Sequence, residues 1–162
     1  MAMALLAFQD IIKLNSNISN NYTQDRLTLE LAVSCLDEAT KHTPCDGRSF
    51  NNLGIALEKL LAYYNGDSLQ SKEIDCRIRS AYRNSIMIHS TCRNLGCDVG
   101  SDYESACLNF GLYLSKGDEF DQAIDVLSRI ALPTEQANDL DTAERVIRDA
   151  SNLLAFCKKQ RD

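Results

Sequence analysis

Each of the two histidines in the chain stands three residues before a cysteine. The pairs are His42 with Cys45 in "HTPC" and His89 with Cys92 in "HSTC", and Cys97 follows Cys92 closely along the chain. Positions i and i+3 of a helix share a face, and neutral imidazole together with thiolate is a good ligand set for zinc. The two pairs, or a set in which Cys97 replaces one ligand, therefore form a candidate zinc site that would join two helices.

A second interpretation of the same residues needs no metal. Cys92 falls in the apolar stripe of a long helix, where a cysteine behaves as a small apolar side chain, and His42 suits a polar helix end. We favour this interpretation and predict no cofactor. The ligand candidates, if zinc is present, are His42, Cys45, His89, Cys92 and Cys97.

The sequence offers little else that could carry out a reaction. A cysteine nucleophile needs a thiolate and an orienting base. His89 is near Cys92 along the chain, but no third orienting group and no glycine-rich oxyanion loop accompany them. The nucleotide-binding patterns GxxxxGKS and GxGxxG and the metalloprotease pattern HExxH are absent from the sequence. We therefore predict that the chain is not an enzyme.

A basic segment interrupts an otherwise acidic chain. The net charge is −6, yet residues 68–97 contain five basic and two acidic side chains. Lys72, Arg79 and Arg83 have helical spacing on one face, and the ring of Tyr82 could stack on a base, so this face is a candidate for nucleic-acid binding. The alternative is that these side chains pair with acidic helices or point into water. The negative charge of the whole chain favours that alternative.

Composition and periodicity predict an all-α fold. Seven glycines and two prolines in 162 residues are too few for a turn-rich β protein, and apolar residues recur in steps of three and four without strand alternation. A chain of this length suits one domain, residues 1–162, which we predict to be a helical bundle of six to seven helices. We expect a polar connector at about 15–22 and a frayed C-terminal tail at 159–162.

The apolar stripes give approximate ranges for the helices. They are 3–14, 23–42, 50–64, 68–95, 101–117, 118–131 and 134–159. The third stripe is the clearest and consists of Phe50, Leu53, Leu57, Leu60 and Tyr64. The fourth helix is long enough to be a central helix, unless it breaks near "NSIMIHS". Ser101 and Glu104 have the spacing of a capping box at the start of the fifth helix.

Helix 68–95 has more apolar surface than one seam can bury. Beside the stripe that runs from Ile74 to Leu95, it has Tyr82, Ile86 and Met87 on another side. A helix that is apolar on two sides must be buried on two sides, either at the centre of its own fold or by another chain. The candidate binding face, for a protein or a nucleic acid, is therefore Lys72, Arg79, Tyr82, Arg83, Ile86 and Met87.

The stretch "NFGLYLSKGDEFDQAI", residues 109–124, predicts two short helices that fold back on each other. Gly111 is followed nine positions later by an aromatic residue, Phe120, and twelve positions later by a small residue, Ala123. This pattern resembles a tetratricopeptide repeat over about residues 104–133. The resemblance implies a hairpin in which Gly111 and Ala123 let the helices approach closely while Phe120 fills the wedge beside them. Because the pattern does not recur at that family's interval of about 34 residues, we predict a bundle, with a short tetratricopeptide-like helical array as the alternative.

The predicted function is that of a non-catalytic protein-interaction protein. An adaptor or regulatory role, with a protein partner and with self-association into a homodimer, would use the surplus apolar surface. The alternatives are a nucleic-acid-binding regulator and a small helical protein with a structural zinc site. The start of the chain has no basic n-region, and no apolar run is long enough to span a bilayer. We therefore expect no membrane association, no secretion, a cytoplasmic or nuclear setting and free cysteines.

Overall fold

The loop "TPCDGRS" illustrates how the sequence begins a helix in this protein. Asp46 is the N-cap residue, and its carboxylate accepts hydrogen bonds from the Arg48 amide at 3.2 Å and from the Ser49 hydroxyl at 2.7 Å. The first of these bonds satisfies an amide that has no partner within the first turn of the helix. Asp46 therefore fixes the point at which the chain turns from loop to helix.

The structure, a computed structural model, describes residues 22–64, 68–130 and 140–161. The helices in these ranges are α1 (Tyr22–His42), α2 (Gly47–Leu61), α3 (Leu69–Asn94), α4 (Asp102–Lys116), α5 (Phe120–Leu127) and α6 (Leu140–Arg161). The described ranges contain no strand, so the all-α class is confirmed. The predicted helix at 3–14, the connector up to residue 21 and the first residues of the predicted helix at 134–159 lie outside the described residues.

The chain forms two compact units, residues 1–81 and 82–162. In the first unit α1 packs against α2, and Arg77 of α3 donates a hydrogen bond to Asp37 of α1 at 2.6 Å. The apolar core of this unit includes Ala32, Val33, Leu36, Leu53, Leu57 and Leu60. Three of these are the leucines of the stripe predicted for the third helix. The prediction that residues 1–162 form a single domain stays a prediction.

Helix α3 runs without a break for 26 residues, a length of about 39 Å at 1.5 Å per residue. In the first unit its buried apolar residues are Ile74, Ile78 and Ala81, as the stripe predicts. In the second unit the buried residues are Tyr82, Ser85, Ile86 and His89, whereas Leu95, predicted to lie on the stripe, is exposed. The buried side of α3 therefore departs from the predicted stripe in its C-terminal half, where the large side chains of Tyr82 and Ile86 pack inward.

In the second unit α4, α5 and α6 pack against one another. The stripe predicted for the fifth helix is buried along α4 and consists of Tyr103, Cys107, Phe110 and Leu114. From the other two helices the core receives Ala123, Val126, Leu127, Val146, Ala150 and Cys157. The ring of Tyr82, from α3, stacks on Phe110 with 5.6 Å between the ring centroids.

The start of α4 departs from the predicted capping box. Ser101 is the N-cap residue, but its side chain makes no capping hydrogen bond, so that prediction is wrong. Glu104 instead accepts a hydrogen bond from Arg93 Nη2 at 2.7 Å. The guanidinium therefore takes the place of the backbone amide that the capping box would offer to this carboxylate.

The turn between α4 and α5 contains an aspartate in the left-handed conformation. Asp118 has φ 59°, whereas Gly117 before it has φ −93°. The Asp118 amide donates to the Ser115 carbonyl at 3.3 Å, and the Glu119 amide donates to the Leu114 carbonyl at 3.0 Å. This is the hydrogen-bond pattern of a Schellman motif, in which the left-handed position is usually glycine.

Candidate interaction surface

Helix α1 has an apolar row on its exposed side. Leu27 and Leu31, one turn apart, are 49% and 59% exposed, and Cys35, a further turn along, is exposed as well. Positions i, i+4 and i+8 of a helix form one continuous ridge. We call these three residues the α1 ridge.

Polar contacts border the α1 ridge. Arg26 and Glu30 form an ion pair at 3.3 Å, although the Nε–H bond of Arg26 is not aligned for a hydrogen bond. The hydroxyl of Tyr64 donates a hydrogen bond to the carboxylate of Glu30 at 3.2 Å. Burial, together with the nearby negative charge of Glu30, raises the pKa of Tyr64, which keeps this hydroxyl a donor. Near the C-terminal end of α1, Lys41 bonds to Glu38 at 2.7 Å. The α1 ridge is therefore an apolar strip with charged side chains along its borders.

The predicted binding face on α3 is only partly accessible. In the first unit Lys72 is exposed, while Arg79 Nε donates to Asp75 at 2.8 Å. In the second unit Tyr82 and Ile86 are buried, whereas Met87 is 60% exposed. Of the apolar members of this face, only Met87 is therefore open to a partner.

Arg83 is exposed, and its guanidinium lies 5.9 Å from the centroid of the Phe110 ring. A cation over an aromatic face is attracted by the ring quadrupole. This contact gives Arg83 a packing role within the second unit that the charge pattern of the sequence does not indicate.

The three residues of the tetratricopeptide-like pattern lie in or beside the contact between α4 and α5. Gly111 and Ala123 are buried, and a Cβ added to Gly111 would lie 2.7 Å from side-chain atoms of Leu127. The ring of Phe120 meets the ring of Phe156 edge-on, with 6.3 Å between their centroids. The close neighbour of Gly111 is therefore Leu127, a residue that the sequence pattern does not single out.

The zinc-ligand candidates are divided between the two units. His42 and Cys45 are exposed in the first unit, while in the second unit His89 is buried, Cys92 is half-buried and Cys97 is exposed. Within the described ranges, no three or more His, Cys, Asp or Glu side chains are arranged to hold a metal ion.

A charged cluster around Arg93 was not predicted from the sequence. Its Nη2 bonds to Glu104, and its guanidinium lies 4.5 Å from the centroid of the Tyr103 ring. Glu104 is only 8% exposed, and its second oxygen has no hydrogen-bond partner among the described residues. The one indication in the sequence that Glu104 is buried is its position directly after Tyr103, a residue of the apolar stripe. The same position suits the acid of a capping box.

Cys107 lies next to this cluster and is fully buried. Burial raises the pKa of its thiol to about 11, partly offset by a hydrogen bond with Tyr103, and the negative charge of Glu104 adds to the rise. At neutral pH the thiol is therefore protonated and out of contact with solvent. A cysteine in this state is a poor nucleophile.

Comparison of the whole chain with known proteins found no matching protein family, curated protein or solved structure. Among the described residues, no helix combines the length and apolar character that crossing a membrane requires.

Proposed function

We propose that this protein is a non-catalytic interaction protein, with an adaptor or regulatory role, that binds a second copy of itself through the α1 ridge. The observation that carries the proposal is the exposure of Leu27 and Leu31 on one face of a helix whose other face forms the core with α2. Burying the exposed half of each leucine would contribute on the order of 1 kcal/mol per residue. Leaving both in water forgoes that stabilisation.

The spacing of the α1 ridge suits self-association. Rows with steps of four residues interdigitate with like rows at a crossing angle of about 50°. The ridge is symmetric about Leu31, so a two-fold axis beside that residue sets the ridge of each copy in the groove next to the other ridge, with Leu27 near Cys35 of the other copy. Such a contact uses the same surface on both chains, as most homodimers do.

The proposed architecture is a helical bundle in which α3 is the central helix. The support is that α3 contributes to the packing of both units, through Arg77 to Asp37 in the first and through Tyr82 to Phe110 in the second. The α4–α5 pair is the one hairpin that we liken to a tetratricopeptide repeat. We place the protein in a reducing cytoplasmic or nuclear setting, on the strength of its cysteine content alone.

The absence of catalysis is part of the proposal. The support comes from Cys107, which is protonated and enclosed at neutral pH. Metal analysis of the purified protein tests the zinc alternative directly, because a structural site would give close to one zinc per chain.

Nucleic-acid binding has less support than protein binding. Arg77 and Arg79 already bond to Asp37 and Asp75, so phosphates would have to displace carboxylates. Filter binding with RNA and DNA at two salt concentrations tests this alternative, since each phosphate contact changes the slope of log affinity against log salt by about 0.7 to 0.9. A steep slope that is lost on changing Lys72 and Arg83 to glutamate would overturn our preference.

Sedimentation analysis of three proteins tests the self-association. We expect the wild type to be a dimer at micromolar concentration and Leu31→Arg to be a monomer, because the variant would bury two unpaired charges at the two-fold axis. Unpaired buried charge costs enough to weaken the dimer by about a hundredfold or more. Leu95→Arg is the matched control, since Leu95 is 77% exposed but lies outside the α1 ridge.

Two outcomes would contradict the proposal. If the wild-type protein sediments as a monomer at these concentrations, self-association is refuted. If the dimer forms but persists in Leu31→Arg with unchanged circular dichroism, the contact lies elsewhere on the chain.

A further inference from the structure

Helix α3 ends in a Schellman motif that has a cysteine at each end. The Cys97 amide donates to the Cys92 carbonyl at 2.9 Å, and the Gly96 amide donates to the Arg93 carbonyl at 3.0 Å. Gly96 takes the left-handed conformation that the motif requires, with φ 77°. Cys92 and Cys97 therefore occupy the two positions whose side chains commonly touch in this motif.

The hydrogen bond between the two cysteines limits how far apart they can be. Standard bond lengths place a carbonyl oxygen about 2.4 Å from its own Cα and an amide nitrogen about 1.5 Å from its own Cα. With 2.9 Å between oxygen and nitrogen, the Cα atoms of Cys92 and Cys97 can be at most about 6.8 Å apart. Disulfides span Cα distances of about 4.4 to 6.8 Å.

Both thiols can be reached from solvent. Cys97 is exposed and Cys92 is half-buried, and apart from its two chain neighbours nothing lies within 4 Å of the position that a Cβ would take on Gly96. The other exposed cysteines of the described residues, Cys35, Cys45 and Cys76, lie in the first unit.

We propose that Cys92 and Cys97 are a modification site at which an intramolecular disulfide forms reversibly by exchange with a small disulfide such as oxidised glutathione. The Cys97 thiolate attacks one sulfur of the small disulfide and releases one glutathione thiolate, which leaves a mixed disulfide on Cys97. The Cys92 thiolate then attacks the Cys97 sulfur and expels the second glutathione thiolate. Two electrons pass from the protein thiols to the small disulfide, and the two protons lost by the cysteines are taken up by the two glutathione thiolates.

The attack of Cys92 on the mixed disulfide is faster than attack on it by a thiol from solution. A thiol held beside the mixed disulfide has an effective concentration in the millimolar range or above, as for any closely tethered pair. The disulfide closes a ring that runs from Cys92 to Cys97 and includes Arg93. Arg93 bonds to Glu104, which lies beyond the loop that follows α3.

Mass spectrometry of the full-length protein tests the proposal. The reduced protein is treated with about 0.1 mM oxidised glutathione, roughly a tenth of the effective concentration of the neighbouring thiol. It is then quenched, blocked with N-ethylmaleimide and digested with trypsin, which cuts after Arg93 and separates the two cysteines. We expect the disulfide-linked peptide pair to exceed glutathionylated Cys97 by about tenfold or more. Dithiothreitol should convert the pair back to two separate peptides.

The variant Cys92→Ser and the exposed cysteines of the first unit serve as controls. In Cys92→Ser the mixed disulfide on Cys97 should accumulate, because no second thiol resolves it. Cys45 and Cys76 should give single glutathione adducts in the wild type. If Cys92 and Cys97 carry separate glutathiones, or stay reduced while Cys45 and Cys76 react, the proposal is overturned.

Discussion

Replacing Gly111 by alanine tests how closely α4 and α5 approach. The new Cβ would lie 2.7 Å from two side-chain atoms of Leu127, about 0.7 Å inside the 3.4 Å at which ordinary contact begins. Leu127 is only 2% exposed and has little room to move. Overpacking of this kind costs about 1 to 3 kcal/mol. Alanine recovers about 0.8 to 1.0 kcal/mol relative to glycine within a helix.

The net expectation is a loss of about 1 kcal/mol in the free energy of unfolding, measured by urea titration, or about 2 to 4 °C in melting temperature. The matched control is Gly117→Ala, because a Cβ there meets nothing nearer than 3.6 Å. That variant should be unchanged or stabilised by about 0.4 to 1 kcal/mol.

A double-mutant cycle with Leu127→Ala identifies the cause. Leu127→Ala alone should cost about 2 to 5 kcal/mol through the cavity it leaves. In the double variant the new Cβ of residue 111 no longer clashes, so the double variant should be more stable than the sum of the single changes by about 1 to 3 kcal/mol. If Gly111→Ala instead stabilises the protein by the helix-propensity term alone, the close approach at Gly111 is refuted.

Three further measurements address the helix start, the charged cluster and the buried thiol. Asp46→Ala should lower the free energy of unfolding by about 1 kcal/mol and Asp46→Asn by much less, because asparagine also caps; equal losses would contradict the cap. Arg93→Ala should cost about 2 kcal/mol in urea titration, because it removes a charge-assisted bond and leaves the carboxylate of Glu104 buried; a loss below about 0.5 kcal/mol would show that the pair is not structural. The unfolded Cys107 thiol ionises near its ordinary pKa of 9.0 while the native thiol has a pKa of about 11, so its contribution to stability is complete below pH 9 and is lost as the pH rises to 11. The loss should reach about 2 kcal/mol at pH 11 and be missing in Cys107→Ala, as followed by urea titration at each pH.

The helices of this protein could be predicted because their apolar residues report burial on one face. The stripe along α4 is buried at every predicted position, from Tyr103 to Leu114, and so are Leu53, Leu57 and Leu60 of α2. In each helix these residues recur in steps of three and four and form one continuous stripe, so periodicity alone predicts which side faces the core.

Periodicity does not predict the buried side of helix α3 along its whole length. It is apolar on two sides, and periodicity cannot tell which of two apolar sides is buried at a given turn. Periodicity therefore predicts partner contact for Tyr82 and Ile86, which are buried. It also predicts burial of Leu95, which is exposed. The choice depends on what packs opposite, here the ring of Phe110.

The pairing of charged residues on different helices could not be predicted from the sequence, for a different reason. Arg93 and Glu104 lie on different helices, and nothing in the spacing of either residue reveals the other. The α1 ridge was likewise not predicted, because the spacing of Leu27 and Leu31 suits a buried side of the helix as well as an exposed one. An exposed leucine and a buried one look alike until the neighbouring helix is placed.

The aspartate at the α4–α5 turn has a consequence for dissecting the protein. An L-residue in the left-handed conformation costs about 1 kcal/mol where glycine would cost nothing. This cost offsets part of what the two hydrogen bonds of the Schellman motif contribute. Excised as a peptide, residues 101–130 would be mostly unfolded in water, since α4 and α5 are short and α6 no longer covers them. New chain ends introduced between Gly117 and Asp118, both exposed, would relieve that cost and leave the packing intact. The bond between Gly117 and Asp118 is therefore a suitable site for inserting a reporter domain.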